Sequence, residues 1–403
     1  LRKFIPIVLL ALLLGMLMPT YAEVEKDHIK VKEESVVSKE KNIISYDIAK
    51  DILIENNRTL KEKQLQERKT FYGYSNTVQI SRGINTEGRS VNVFGMEFFF
   101  YYPDDVQMLL TMQKEFMPFA QRFAWQMSQK EKELTENILI LALRDLYLGL
   151  YSTWRNCDIL KKKLNLESKK HNANKVRFEN GLISNIEFEE SQYRFLKTQK
   201  DFENAQRDFE NMRRNFNSFL GVPIDTEYDE LLFEELKRDV KIQPLEYYLE
   251  KALENRLEIV VLEGQIEMAE LQISIYEKNR VNETYTKVRK EYNEALRQLE
   301  NLKIQLEQAK IDIESEIKSA YVEVKKEGYN LQSLNDTLNM QLKNYERLQG
   351  QFEQGFIAKL VMDEVEIGLE ELRNGIDLVM YAYNTKIMKL EEAAGLGPAF
   401  QER

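Results

Sequence analysis

Seven prolines in 403 residues, at positions 6, 19, 103, 118, 223, 244 and 398, leave two proline-free runs, 119–222 and 245–397, each with few glycines. Proline removes a helical hydrogen bond and glycine costs backbone entropy, so runs of this length with so little of either predict very long helices. A helix from Phe119 to Asn180 would extend on the order of 90 Å at 1.5 Å per residue, longer than an ordinary globular domain. Apolar residues agree with this. Leu299, Leu302, Leu306, Ala309, Ile313, Ile317, Ala320 and Val324 recur at steps of three or four and mark one helical face laid against a partner helix, as in a coiled coil.

The chain also repeats itself. A shift of 174 residues lays "FENGLI" (Phe178 to Ile183) on "FEQGFI" (Phe352 to Ile357), Tyr147 on Tyr321 and Gly221 on Gly395, without a gap. The stripe Leu143, Tyr147, Leu150, Cys157 falls on Ile317, Tyr321, Val324, Leu331, so the buried face repeats with the glycines, and Cys157 is expected as a small core residue. "ILIENNRTL" (Ile52 to Leu60) and "KALENRLEI" (Lys251 to Ile259) open the two halves, with Asn56 over Asn255. Between that asparagine and the tyrosine the first half holds 25 extra residues. There, "NTVQISR" (Asn76 to Arg82) and "SVNVFGMEFFFYY" (Ser90 to Tyr102) flank "GINTEG" (Gly83 to Gly88), a pattern that reads as strand, loop, strand. The counterpart in the second half, Asn279 to Tyr292, offers at most one short extended stretch.

A glycine within each proline-free run ends one helix before a second apolar-periodic segment begins. The economical reading is a pair of helical hairpins with tips at Gly181 and Gly355. The fold class expected is therefore mainly α: long antiparallel coiled-coil hairpins in two tandem repeats, with a short β insert at about 76–102 in the first. The repeats are placed at 44–223 and 245–398, joined by a linker at 224–244 and followed by a tail at 399–403.

Upstream, Arg2 and Lys3 precede an apolar run from Phe4 to Leu17 and then Thr20-Tyr21-Ala22, the order of a secretory signal peptide over 1–22, too short for a bilayer span of ~20 residues. Residues 23–43 are charged and aromatic-free and read as a flexible leader. A formal charge of −10 and 31% charged residues describe an acidic chain with no multipass membrane character and no basic footprint for nucleic acid. One cysteine permits no disulfide framework. Catalysis has little to stand on. The two histidines, His28 and His171, lie in charged segments, and neither a metal-spaced cluster nor a glycine-rich phosphate loop is present, so no enzyme activity, cofactor or metal is expected.

Two halves, each with a start helix, an insert, a long helix carrying an internal tyrosine, a tip of R-F-x-x-G-x-x-S type, a returning helix and a terminal "FLGVP" (Phe219 to Pro223) or "AGLGP" (Ala394 to Pro398), resemble the TolC-type outer-membrane efflux proteins. The resemblance spans about 44–398 and is most specific at the two tips and the two helix ends. It implies a homotrimer whose helices form a tapering tube under a β-barrel, with the tips docked on a periplasmic adaptor that links it to an inner-membrane pump. The matching tip positions are Arg177, Gly181, Leu182 and Ser184, then Gly355, Phe356 and Ala358, with Gln351 standing where the first tip has Arg177. Acidic residues six and nine positions past the tip glycine would ring the entrance, where like charges raise one another's pKa: Glu187 and Glu190 in the first repeat, Glu364 with its neighbour Asp363 in the second, with Val361 departing from the pattern.

The insert departs from the family. Four membrane strands of about 9–11 residues per subunit do not fit in it, and the two it could supply give six per trimer, fewer than the eight of a barrel whose interior is already filled by side chains. A second reading from another class therefore stands beside the first: a non-conducting structural coiled-coil protein of the cell envelope. An adaptor-like coiled coil is a weaker third, because adaptors carry one hairpin between compact β-rich domains.

Overall fold

A computed structural model of the chain describes residues 42–233 and 242–398. The expected signal peptide, nearly all of the leader and the C-terminal tail lie outside the described residues.

The first repeat opens with strand β1 (Ile43–Ser45) and helix α1 (Tyr46–Asn56), whose N-terminus is capped by the Ser45 hydroxyl accepting from the Ile48 amide. Helix α2 (Arg58–Arg82) follows after a single residue, Asn57, whose side chain caps it by accepting from the Leu60 amide at 3.0 Å. Strands β2 (Gly88–Val93) and β3 (Met96–Tyr101) form an antiparallel hairpin. Helix α3 (Asp104–Thr111), a π-helical turn over Met112–Phe116 and helix α4 (Met117–Glu179) then run on continuously. Helix α5 (Asn185–Leu220) returns, and strand β4 (Glu230–Leu232) pairs in parallel with β1.

The second repeat is built alike. Helix α6 (Leu245–Asn255) matches α1 in length, and α7 (Leu257–Lys278) follows after one residue. A short helix α8 (Val281–Thr284) stands where the first repeat has its β hairpin. Helix α9 (Thr286–Glu353) descends to the second tip and α10 (Lys359–Ala393) returns.

Several sequence expectations change. Residues 76–82 are the end of α2 and not a strand; both strands come from the second segment, which turns on itself at Phe94-Gly95. Helix wins over 76–82 because the less exposed positions Val78 and Ser81 continue the face that α2 lays along α4, and the hydroxyls of Thr77 and Ser81 bond back to carbonyls of the preceding turn. Pro118 does not start a new element: the helix absorbs its missing amide by widening into the π turn just before it. The segment expected as a linker, 224–244, contributes β4. Cys157 is half-buried and outside the core, with its thiol pKa raised by burial and by Asp158, as expected of an unreactive cysteine.

The repeat landmarks meet in space. At the end of α5, Gly221 (φ +75°) lies against Asn56 of α1, where a Cβ would come 3.3 Å from the Asn56 Cβ. At the end of α10, Gly395 (φ +70°) lies against Asn255 of α6, where a Cβ would come within 2.7 Å. Each repeat thus closes its hairpin onto the end of its own start helix. Tyr147, fully buried, puts its hydroxyl within reach of the carbonyls of Ile44 and Leu232 and so clamps β1 and β4 to α4. Its repeat mate Tyr321 packs against the buried Tyr248 ring at 6.2 Å. Leu143 and Leu150 in the first core, and Ile317 and Val324 in the second, are completely buried, which places the repeated stripe at the centre of each bundle. Arg144, buried on α4, donates to the Thr385 hydroxyl of α10 at 2.9 Å and fastens one repeat to the other.

Candidate functional site: the paired hairpin tips

The two tips are the same turn built twice. After α4, the Gly181 amide donates to the Phe178 carbonyl (2.9 Å) and the Leu182 amide to the Arg177 carbonyl (2.8 Å), with Gly181 at φ +67°. After α9, the Gly355 amide donates to the Phe352 carbonyl and the Phe356 amide to the Gln351 carbonyl, both at 2.9 Å, with Gly355 at φ +80°. This pattern caps the last carbonyls of a helix and requires a left-handed residue, which is why glycine recurs. The exchange of Arg177 for Gln351 is neutral to the turn, because only the backbone carbonyl of that position takes part.

The acidic positions have local partners within the subunit. Ser184 and Glu187 form a capping box: the Glu187 amide donates to the Ser184 hydroxyl (3.2 Å), and the Ser184 amide donates back to the Glu187 carboxylate (2.7 Å). That backbone bond from Ser184, helped by the hydroxyl, holds the Glu187 carboxyl below its usual range. In the second tip, Ala358 and Val361 occupy the same two positions, and the helix start has no side-chain cap. The departure at Val361 and the alanine at 358 are therefore one change, the loss of a capping box.

Asp363 lies between Lys359 (3.1 Å) and Lys169 (3.5 Å). Partial burial pushes its carboxyl up, but the two lysines outweigh that and leave it lowered. Glu364 meets Lys170 of α4 at 3.0 Å. In the subunit, Asp363 and Glu364 are paired with lysines, whereas Glu187 is held by the Ser184 backbone and hydroxyl. Glu190 is exposed on α5.

The sequence reading missed the ladder to which these pairs belong. Lys162 and Lys163 of α4 face Glu370 and Glu371 of α10 at 2.8 and 2.5 Å, one heptad above Lys169–Asp363 and Lys170–Glu364. Antiparallel helices with charges seven apart bring such pairs into register. The signal was present in "KKKLNLESKK" (Lys161 to Lys170) and in Asp363-Glu364 and Glu370-Glu371. A groove of about 520 Å³ runs beside this ladder, lined by Leu166, Leu342, Tyr345 and Arg373 among others.

The tips also leave large apolar side chains bare. Leu182 is 72% exposed, Ile186 68% and Phe356 75%, so each tip presents at least one large side chain that nothing in the subunit covers. Within the first hairpin the helices are held by stacked rings: Phe178 on Phe188 at 4.8 Å, and His171 on Phe195 at 5.5 Å. A second bare surface lies on α9. Ile304, Ile311, Val322, Tyr329 and Met340 are each more than 60% exposed and recur at steps of seven and eleven, which return to within about 20° on a helix of 3.6 residues per turn. This stripe, about 54 Å long at 1.5 Å per residue, is separate from the buried face of the same helix.

Comparison with solved structures gives matches over nearly the whole chain. A CusC structure, described for conformational changes accompanying folding and transmembrane channel formation, superposes with a TM-score of 0.61 at 13% identity, covering 94% of this chain and all of that one. The fold is TolC-like. The CmeC outer-membrane channel of Campylobacter jejuni matches with a TM-score of 0.59 at 13% identity, over 96% of each chain. The MtrE outer-membrane channel of Neisseria gonorrhoeae, in its open state, matches with 0.59 at 12% identity, over 95% of this chain and all of that one. At these identities the likeness is one of fold, and it extends through both repeats. No protein-family model matches the sequence, nor does any curated protein.

Proposed function

We propose that this chain is the subunit of a trimeric, TolC-like export conduit of the cell envelope, passive in mechanism, which docks through its hairpin tips onto an adaptor of a pump and handles small molecules or peptides. The observation that carries this reading is the second apolar stripe on α9: a helix greasy on two faces is not satisfied by one subunit, and a further copy is the natural cover in this fold. The paired tips support docking. They are identical in backbone, lie at the ends of two helical hairpins joined by the lysine–carboxylate ladder, and expose Leu182 and Phe356. Arg177, Gly181, Leu182, Ser184, Gly355, Phe356 and Ala358 are the proposed docking positions. Glu187, Glu190, Asp363 and Glu364 are proposed to line the entrance once three copies assemble. No step in this reading calls for catalysis or a cofactor, and the location it implies is the outer membrane or its equivalent.

The test is to size the purified full chain and measure its binding to the helical hairpin of a candidate adaptor, with L182D/F356D beside the unchanged protein. The reading predicts a trimer whose adaptor binding falls by at least tenfold in the double variant, with helicity unchanged. A monomer indifferent to the tip changes would defeat it.

A second reading, a non-conducting structural coiled-coil protein of the envelope, is favoured by the β insert, which among the described residues is one hairpin of two six-residue strands. It predicts the same oligomer without adaptor binding.

A further inference from the structure

The β2–β3 hairpin is poorly covered by the rest of the subunit. Every residue of β3 is exposed, including Met96, Phe98, Phe99, Phe100 and Tyr101, and Phe94 at the turn is 98% exposed. The cross-strand pairs sort the two faces. One carries Val93–Met96, Val91–Phe98 and, at the base, Arg89–Phe100. The other carries Asn92–Glu97, Ser90–Phe99 and Gly88–Tyr101. Towards the turn, therefore, one face is wholly apolar and the other polar, and the only cation on the apolar face sits at its far end.

The turn itself carries a second, independent sign. It is a two-residue turn with both residues left-handed, Phe94 at φ +50° and Gly95 at φ +86°, closed by the Gly95 amide donating to the Asn92 side chain at 2.9 Å. Asparagine, aspartate or glycine adopts the first position at little cost, whereas a bulky residue there is strained. The chain thus accepts a strained backbone to hold a phenyl ring at the apex in full contact with water. Neither cost is recovered within the subunit.

Length decides what can recover it. Six residues reach about 20 Å, against a hydrocarbon core of about 30 Å and the 9–11 residues a spanning strand needs. The two outer edges of an isolated hairpin also carry unpaired amides and carbonyls, which hydrocarbon cannot satisfy. A membrane surface meets these limits: water and headgroups satisfy the edges, and apolar side chains enter the headgroup–acyl boundary to a depth of about 5–10 Å.

We infer that the hairpin is a non-spanning membrane anchor, with Phe94, Met96, Phe98 and Val91 seated in the outer boundary of one phospholipid leaflet. Asn92, Ser90 and Glu97 face water, and Arg89 lies at headgroup level where a lipid phosphate can accept from it. Among the described residues no helix is long and apolar enough to cross a membrane. The inference stands independently of the conduit reading, because it requires neither a trimer nor an adaptor.

The experiment places tryptophan at the apex, F94W, in the full chain and mixes it with vesicles of phosphatidylcholine and phosphatidylglycerol at about seven to three. Fluorescence is compared with the parent, which carries Trp125 and Trp154. Quenching of the added signal by lipids brominated near the headgroup, and more weakly by lipids brominated deep in the chain, is expected. A companion variant, F94S/F98S, is expected to retain the parent's helicity and to lower the hairpin-dependent vesicle affinity by about tenfold or more. The apolar run at 4–17 can hold the chain on vesicles by itself, but it does not move the apex signal. Absence of quenching overturns the inference, as does quenching strongest at the bilayer centre, which would mean a spanning strand. A hairpin-dependent affinity left unchanged in F94S/F98S overturns it by a second route.

Discussion

Glycine does two different jobs here, and substitution separates them. Gly181 has no atom within 4 Å of where a Cβ would stand, so G181A meets only the cost of a left-handed alanine, about 1–2 kcal/mol. Gly395 has the same backbone demand and also abuts Asn255, with the nearest contact at 2.7 Å. G395A should therefore be more destabilising than G181A by a further ~1–3 kcal/mol, the usual scale of overpacking. Denaturant unfolding of the two variants checks the order; equal losses would mean that the Gly395–Asn255 contact yields easily. The sequence made the four glycine positions visible as repeats. It did not make visible that Gly221 and Gly395 are pressed against the asparagines, because the two partners lie more than a hundred residues apart.

At the scale of elements, the first tip has a capping box and the second does not. Glu187 has its pKa lowered by the Ser184 amide, so its contribution is full above the ordinary carboxylate range and is lost as pH falls through the lowered value. Amide exchange at the start of α5 should therefore quicken as pH falls through that lowered value, whereas the start of α10, which has no side-chain cap and where Asp363 pairs with lysines instead, has no capping bond to lose. Installing the box in the second tip, A358S/V361E, should slow exchange there near neutral pH and import the acid step; an unchanged α10 would contradict the assignment. The ladder between α4 and α10 is a second element-scale device. Its pairs are largely exposed, each contributing about 0–1 kcal/mol and screened by salt. The Glu370 hydrogen bond raises the Lys162 pKa, and that pair should weaken above the raised value at strongly alkaline pH. The charge-swapped pair K162E/E370K should recover part of the stability lost by either reversal alone, measured as a double-mutant cycle, the remainder being lost because Lys162 also pairs with Asp158 at 3.1 Å. Long helices and their turns were legible because proline spacing, periodicity and an offset of 174 all act locally. The strand at 76–82 was misjudged because its alternating pattern is short, and packing along α4 overrode it.

For the whole molecule, the fold was readable from two tips and two helix ends, yet the surfaces that decide assembly were not. The buried face of α9 dominates its pattern, and the second stripe from Ile304 to Met340 emerges only when the residues covered within the subunit are known. If that stripe is an interface between copies, I311K/V322K should leave helicity intact and shift the full chain to monomer in light scattering. Retention of the parent mass would place the interface elsewhere. The central claim is that copies of this chain close into a threefold tube. Electron cryomicroscopy of the purified full chain, viewed end-on, tests it most directly. The account predicts a threefold ring of helices around an open lumen; a single-chain or two-chain bundle with no lumen would contradict it.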